Sequence, residues 1–203
     1  MLRRSAARIG AALTNTGLLA GCVSGAAAPD EGDHEAAPWG AARLPVTVPG
    51  VKPCDTIDQA AAPARGEALR LPDLTLPCLT RGSAVNPSRL SGRPTVINLW
   101  ATWCQPCRQE MPMLQAASQR YGRRVQFLGV NTKDNPDWAA EFLPQVGVTY
   151  PEMVDADGQL LASLRSPGLP VTVVVDAQGR ISGRQIGRIT EQRLDALLDG
   201  GGR

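Results

Sequence analysis

Hydrophobic and polar positions along this chain switch between two periods, and the switch is sharpest near residue 100. Thr95-Val96-Ile97-Asn98-Leu99-Trp100 is a short, β-branched and apolar run of the kind that forms a buried strand. Directly after it, Met111, Leu114, Ser118 and Tyr121 recur at helical spacing, with Leu114 and Tyr121 anchoring one face. Val125 to Val130 repeats the strand pattern. Asn135 and Pro136 then make an N-cap and first-turn pair, opening a helix with Trp138, Phe142 and Val146 on one side and Gly147 as its stop. Trp138 reads as a core residue at that spacing.

Val171 to Val175 is the next buried run. Asp176-Ala177-Gln178-Gly179 turns it back into Arg180 to Ile186. Thr190 caps a last helix that points Leu194, Leu197 and Leu198 inward. A strand, a helix and a second strand in succession imply a right-handed parallel crossover. The pattern therefore predicts an α/β fold, a mixed central sheet with helices on both faces.

Upstream, Leu69-Arg70-Leu71 and Leu74-Thr75-Leu76 alternate, and Arg81-Gly82-Ser83 offers a turn. These predict an edge hairpin whose returning arm is Val85 to Leu90, with Pro72, Pro77 and Pro87 suited to an edge.

Residues 1–21 carry Arg3, Arg4 and Arg8 ahead of a mildly apolar run, which reads as a secretory signal peptide and falls short of the about 20 residues of a spanning helix. Residues 22–50 are rich in Ala, Gly, Pro and Asp and read as a flexible tether, with His34 and Trp39 as solvated linker residues. Residues 51–200 form the domain with an N-terminal extension. Charge changes sign with processing: the 203-residue chain has 21 basic and 19 acidic residues, and losing the first 21 leaves 18 basic residues against 19. No basic patch with interleaved aromatics remains, so nucleic acid is not an expected partner.

The chemistry lies where the first strand hands over to its helix. Cys104 falls at the expected N-cap, where unpaired backbone N–H groups and the positive end of the helix dipole favour a thiolate. Cys107 lies one turn on, close enough for a disulfide, and Pro106 suits an early helical position. The pair fits thiol-disulfide exchange, with Cys104 attacking and Cys107 resolving. A zinc site lacks its remaining ligands, since His34 is the one histidine. Asp155-Ala156-Asp157-Gly158 lacks the further oxygens of a calcium loop and reads as a turn. No phosphate loop or serine triad is present, so neither metal nor cofactor is expected.

Trp103-Cys104-Gln105-Pro106-Cys107 resembles the active site of the thioredoxin superfamily. Arg108-Gln109-Glu110-Met111-Pro112, Tyr150-Pro151 and Gly168-Leu169-Pro170 narrow the resemblance to its extracytoplasmic TlpA/ResA-like branch, over about residues 67 to 199. The resemblance implies a thioredoxin-like fold and a cis Pro170 facing the cysteines. It also implies a Leu169 backbone free to pair with an extended substrate, with Trp103, Gln105 and Pro106 around it. It places Asn98 where thioredoxins carry a buried aspartate, a job that an amide cannot do. Glu110, on the helical face of Cys107, is the candidate substitute as proton acceptor; the alternative is a solvated carboxylate in an early helical turn. The branch further implies a reductase of protein disulfides or dithiols, with apocytochrome c as a candidate substrate, recharged by a membrane electron donor; a monomer is expected.

Leu19-Ala20-Gly21-Cys22 resembles the bacterial lipobox, which makes Cys22 an acylated first residue and holds the protein to the outer side of the cell membrane. Ordinary cleavage near small residues is the alternative. With Cys22 so assigned and the motif pairing Cys104 with Cys107, Cys54 and Cys78 are left to form a structural disulfide or a second redox pair. Two rival functions stand beside the reductase. One is an oxidant or isomerase in secretory folding; the other is a redox-inert binding lipoprotein, which would need none of Trp103, Pro106 and Pro170.

Overall fold

In the computed structural model, which describes residues 44–60 and 69–200, the strand pattern becomes a five-stranded mixed sheet. Its strands are β1 (Thr95–Trp100), β2 (Gln126–Thr132), β3 (Glu152–Asp155), β4 (Val171–Val175) and β5 (Ile181–Ile186), in the order β3-β2-β1-β4-β5. β2 runs parallel to both β1 and β3, whereas β4 runs antiparallel to β1 and β5. All six residues of β1 are buried, as a central strand covered on both faces requires.

Alternation along the strands sends side chains into two cores. Val96, Trp100, Phe127, Val154 and Val174 face one side, together with Met111 and Leu114 of α1 (Gln105–Tyr121), Phe142 of α2 (Pro136–Phe142) and Leu194 of α4 (Glu191–Gly200). Ile97, Leu99, Leu128, Val130, Val171 and Val173 face the other, under the N-terminal extension and α3 (Gln159–Ser163). Helices thus cover both faces, unequally: the second relies on α3 and on the largely irregular chain at 54–60 and 69–90. α3 was not foreseen; Asp155 Oδ1 accepts from the backbone N–H of Leu160 at 3.3 Å, so the expected Asp155–Gly158 turn also starts a helix.

Three expectations need correction. The edge hairpin reduces to single bridges, Leu76 with Val85, Arg70 with Arg180 beside β5, and Cys78 with Met153 beside β3. Pro72, Pro77 and Pro87 cannot donate to a ladder, and Pro87–Arg89 turns into a short 3₁₀ helix. Trp138 is 49% exposed, because Ala139 and Phe142 take the inward positions of α2. The tether ends earlier than Gly50, since Val48 is buried and the Val46 N–H bonds to the Leu79 carbonyl at 2.9 Å. The signal segment, Cys22, His34 and Trp39 lie outside the described residues. Among the described residues no helix is long and apolar enough to cross a membrane.

Cys54 and Cys78 are joined, with their Cα atoms 6.0 Å apart. The bond clips the extension against β3, where the Leu79 N–H donates to the Glu152 carbonyl at 2.8 Å. Replacing both cysteines by alanine is expected to lower stability by about 3 kcal/mol, the loop-closure contribution for a separation of 24 residues. Urea unfolding of the double variant with the other pair kept oxidised measures it.

Candidate active site

Cys104 ends the loop from β1 and is the N-cap of α1, with φ −86° and ψ 97°. Its sulfur accepts from the Cys107 N–H at 3.3 Å, and Pro106 sits in the first turn, where no partner for an N–H is lost. The two cysteines are disulfide-bonded, their Cα atoms 5.3 Å apart. Cys107 is fully buried and Cys104 nearly so, while Gln105, Pro106 and Trp103 beside them are exposed. Once reduced, a sulfur at this helix start faces unpaired N–H groups that stabilise negative charge.

Trp103, 59% exposed, is tied down at one point, its indole N–H donating to the Lys133 carbonyl at 3.0 Å. The loop before Cys104 is held by Asp134. That buried carboxylate accepts from the Thr102 N–H at 2.6 Å, the Thr102 hydroxyl at 2.8 Å and Asn131 Nδ2 at 2.8 Å. Sequence reasoning missed Asp134. Its signal was position, an acid just beyond the carboxyl end of a parallel strand, where α/β sheets gather their sites.

The Leu169–Pro170 peptide bond is cis. Leu99 pairs with Val171, so Pro170 enters β4 at the end of the sheet where β1 leads to Cys104. Pro170 is buried and Leu169 half-buried. The Pro170 carbonyl is taken by the Gly187 N–H at 2.9 Å.

Glu110 is 1% exposed, which removes the solvated alternative. It lies one turn beyond Cys107 on the same helical face. Oε1 accepts from Asn98 Nδ2 at 2.8 Å and Oε2 from the Ile189 N–H at 2.8 Å. Burial pushes its pKa up to about 7, against the pull of the Ile189 and Asn98 donors and of Arg188. A carboxyl that exchanges its proton near neutrality thus lies beside the buried cysteine. Asn98, an amide that does not ionise, orients this carboxyl through that hydrogen bond.

Sequence reasoning also passed over Glu152. It is fully buried, and Oε2 accepts from Trp100 Nε1 at 2.8 Å. The signal was an acid inside the apolar stretch Tyr150 to Val154, since carboxyls are almost never fully buried without a partner.

Residues 65–198 match the redoxin family. HelX of Rhodobacter capsulatus, a thiol:disulfide interchange protein, is 38% identical over 114 residues, 54% of this chain and 63% of HelX; the match thus spans less than two thirds of that relative. The thiol-disulfide oxidoreductase ResA of Bacillus subtilis is 28% identical over 121 residues, 59% of this chain and 68% of ResA. A crystal structure of a DsbE-type thiol:disulfide interchange protein from Chlorobium tepidum superposes with TM-score 0.57 at 26% identity, covering 66% of this chain and 99% of that one. With the paired cysteines at a helix start and this mixed sheet, these similarities show that the chain belongs to the redoxin family and has the thioredoxin-like fold of its ResA- and DsbE-type thiol-disulfide oxidoreductases.

Proposed function

We propose that this protein reduces protein disulfides outside the cytoplasm, tethered through Cys22. The reduced form acts in two exchanges. The Cys104 thiolate attacks one sulfur of a substrate disulfide, forming a mixed disulfide and releasing the other sulfur as a thiolate. Cys107 then passes its proton to Glu110 and attacks Cys104, closing the Cys104–Cys107 bond and releasing the second substrate thiolate. Two electrons move from the enzyme dithiol to the substrate, whose thiolates take protons from water. A dithiol donor at the membrane restores the starting state by the reverse exchange.

The observation that carries this reading is the burial of Glu110 one turn beyond Cys107, at the start of whose helix Cys104 is the cap. A structural staple has no use for a carboxyl that titrates near about 7. Trp103, Gln105 and Pro106 are exposed around the cysteines, and Leu169 lies beside Pro170, an arrangement that suits an extended substrate pairing with the Leu169 backbone. Apocytochrome c is the substrate that the TlpA/ResA resemblance favours.

The test is the reduction potential of the Cys104–Cys107 pair, set by equilibration with thiol buffers and read by mass-spectrometric counting of blocked thiols. A value near the about −270 mV of thioredoxin is expected. One near the about −120 mV of a strong oxidant turns the assignment to disulfide formation. Absence of turnover with an insulin-type disulfide substrate leaves the redox-inert binding protein.

A further inference from the structure

One row of paired positions crosses the sheet on the α1 side: Glu152 of β3, Gly129 of β2, Asn98 of β1 and Thr172 of β4. Its three side chains are polar and buried in an otherwise apolar layer. Gly129 leaves its place in the row open, and the Glu152 carboxyl fills it; a Cβ on residue 129 would overlap the Cδ and both oxygens of Glu152. Glu152 therefore presents its carboxyl where a residue 129 side chain would stand, beside Asn98 at the about 5 Å spacing of cross-strand neighbours.

The hydrogen bonds in this row are one donor short. Glu152 Oε2 is satisfied by the Trp100 indole at 2.8 Å, but Oε1 has no partner among the described residues. Asn98 uses Nδ2 for both Glu110 Oε1 at 2.8 Å and Thr172 Oγ1 at 3.3 Å, which turns the amide nitrogen toward β4; its Oδ1 has no partner either. Two buried acceptors on neighbouring places of one row are costly as they stand. One proton on the carboxyl satisfies both.

We propose that Glu152 is a positioning residue for the redox site: protonated on Oε1, it donates to Asn98 Oδ1 across Gly129 and so holds the amide with Nδ2 toward Glu110. The proposal rests on Glu110 being the proton acceptor for Cys107. Among the described residues, the other ionisable groups that act on the row are Tyr150, whose buried hydroxyl makes no hydrogen bond to Glu152 Oε1 and whose phenol senses both Glu152 and Glu110, and Arg188, which acts on Glu110 from the segment before α4. Burial pushes the Glu152 carboxyl well above its ordinary range despite the opposing Trp100 N–H, which is consistent with a neutral acid at pH 7. The consequence falls on Glu110. An Asn98 N–H pointed at it favours the carboxylate, whereas an amide free to turn would offer Oδ1 to the protonated form and raise its proton affinity.

The experiment is a carboxyl-carbon NMR titration of the oxidised full chain labelled at glutamate, with E110Q to assign the Glu110 signal. In the wild type, Glu152 is expected to stay protonated through pH 7 while Glu110 titrates near about 7. E152Q keeps an acceptor for Trp100 and an N–H for Asn98, so the Glu110 midpoint is expected to stay in place. E152M removes both, and the midpoint is expected to rise by roughly one pH unit, the size of one charge-assisted hydrogen bond. A wild-type Glu152 that ionises below pH 7 overturns the proposal, as does an E152Q shift as large as that of E152M, or no shift in E152M. Should E152M fail to fold, the wild-type titration and E152Q decide. The reading of Glu110 fails separately, if E110Q leaves the pH dependence of the Cys107 attack unchanged, and that result removes the functional half of the proposal while the midpoints judge the hydrogen bond.

Discussion

Cys107→Ser is expected to halt the protein after a single attack, leaving Cys104 joined to the substrate in a mixed disulfide that accumulates one to one with enzyme. The expectation follows from the unequal surroundings of the two sulfurs. Cys104 caps α1 at the end of the exposed loop that carries Trp103, and its reduced sulfur is stabilised as a thiolate by the helix start. Cys107 lies inside the first turn, fully buried, with access to Cys104 and to Glu110 on its own face. It is therefore expected to resolve and not to initiate. Cys104→Ser lacks the attacking thiolate, since a serine hydroxyl does not ionise at neutral pH, and turnover is expected to fall to the uncatalysed background. Non-reducing electrophoresis with a disulfide-bonded peptide separates the cases: a trapped adduct with Cys107→Ser and none with Cys104→Ser. An adduct through Cys107 would reverse the assigned roles.

The site depends on segments far apart in sequence. Asp134, after β2, holds Thr102 near Cys104, and the backbone of Ile189, before α4, holds Glu110 one turn from Cys107. The N-terminal extension also takes part, because Leu79 pins the backbone of Glu152, whose side chain reaches Trp100 at the end of the active-site strand.

Much of this was legible in the sequence, and the parts that were not share a physical cause. β1, α1 and the capping role of Cys104 follow from local rules: β-branched residues, then a cap, then a proline in the first turn. Asn135 and Asp176 likewise carry their turn and cap geometry in their own side chains. Alternation at Leu69–Leu76 predicts a hairpin with Val85 to Leu90, and the Leu76–Val85 bridge keeps that pairing; prolines at 72, 77 and 87 hold each segment to a single bridge, and the partners Arg180 and Met153 lie too far along the chain for the local pattern to name. Trp138 was misplaced for a similar reason. A seven-residue helix admits more than one inward face, and the face of Ala139 and Phe142 won, with the Phe142 ring against Trp100 of β1, a tertiary contact. Glu152 was hidden because its meaning depends on register. Only the pairing of β2 with β3 sets it opposite a glycine, and only the pairing of β1 with β2 sets that glycine beside Asn98.

Glu110→Gln is expected to change both the stability profile and the rate profile around neutrality. Burial raises the folded-state pKa of Glu110 from an ordinary 4.5 to about 7, so between these values the folded protein holds a proton that the unfolded chain has released. Stability from this group is therefore fully present below about pH 4.5, is lost as pH rises, and is flat again above about 7. The total is about 3 kcal/mol at roughly 1.4 kcal/mol per pH unit. Glutamine cannot ionise, so urea unfolding of the oxidised variant should lack this component of the slope whatever its absolute stability. Glu152 and Asp155, also raised by burial, remain in both proteins and cancel in the comparison. The rate effect has the opposite sense in pH. As the proposed acceptor, Glu110 can take the Cys107 proton only when ionised, so resolution of the mixed disulfide should accelerate through about pH 7 in the wild type. In Glu110→Gln it should lose that inflection and slow by about a hundredfold, the low end for a general base. Stopped-flow release of the second substrate thiol across pH 5 to 9 measures it. Loss of the stability component with no change in rate would leave Glu110 a buried acid that the chemistry does not use.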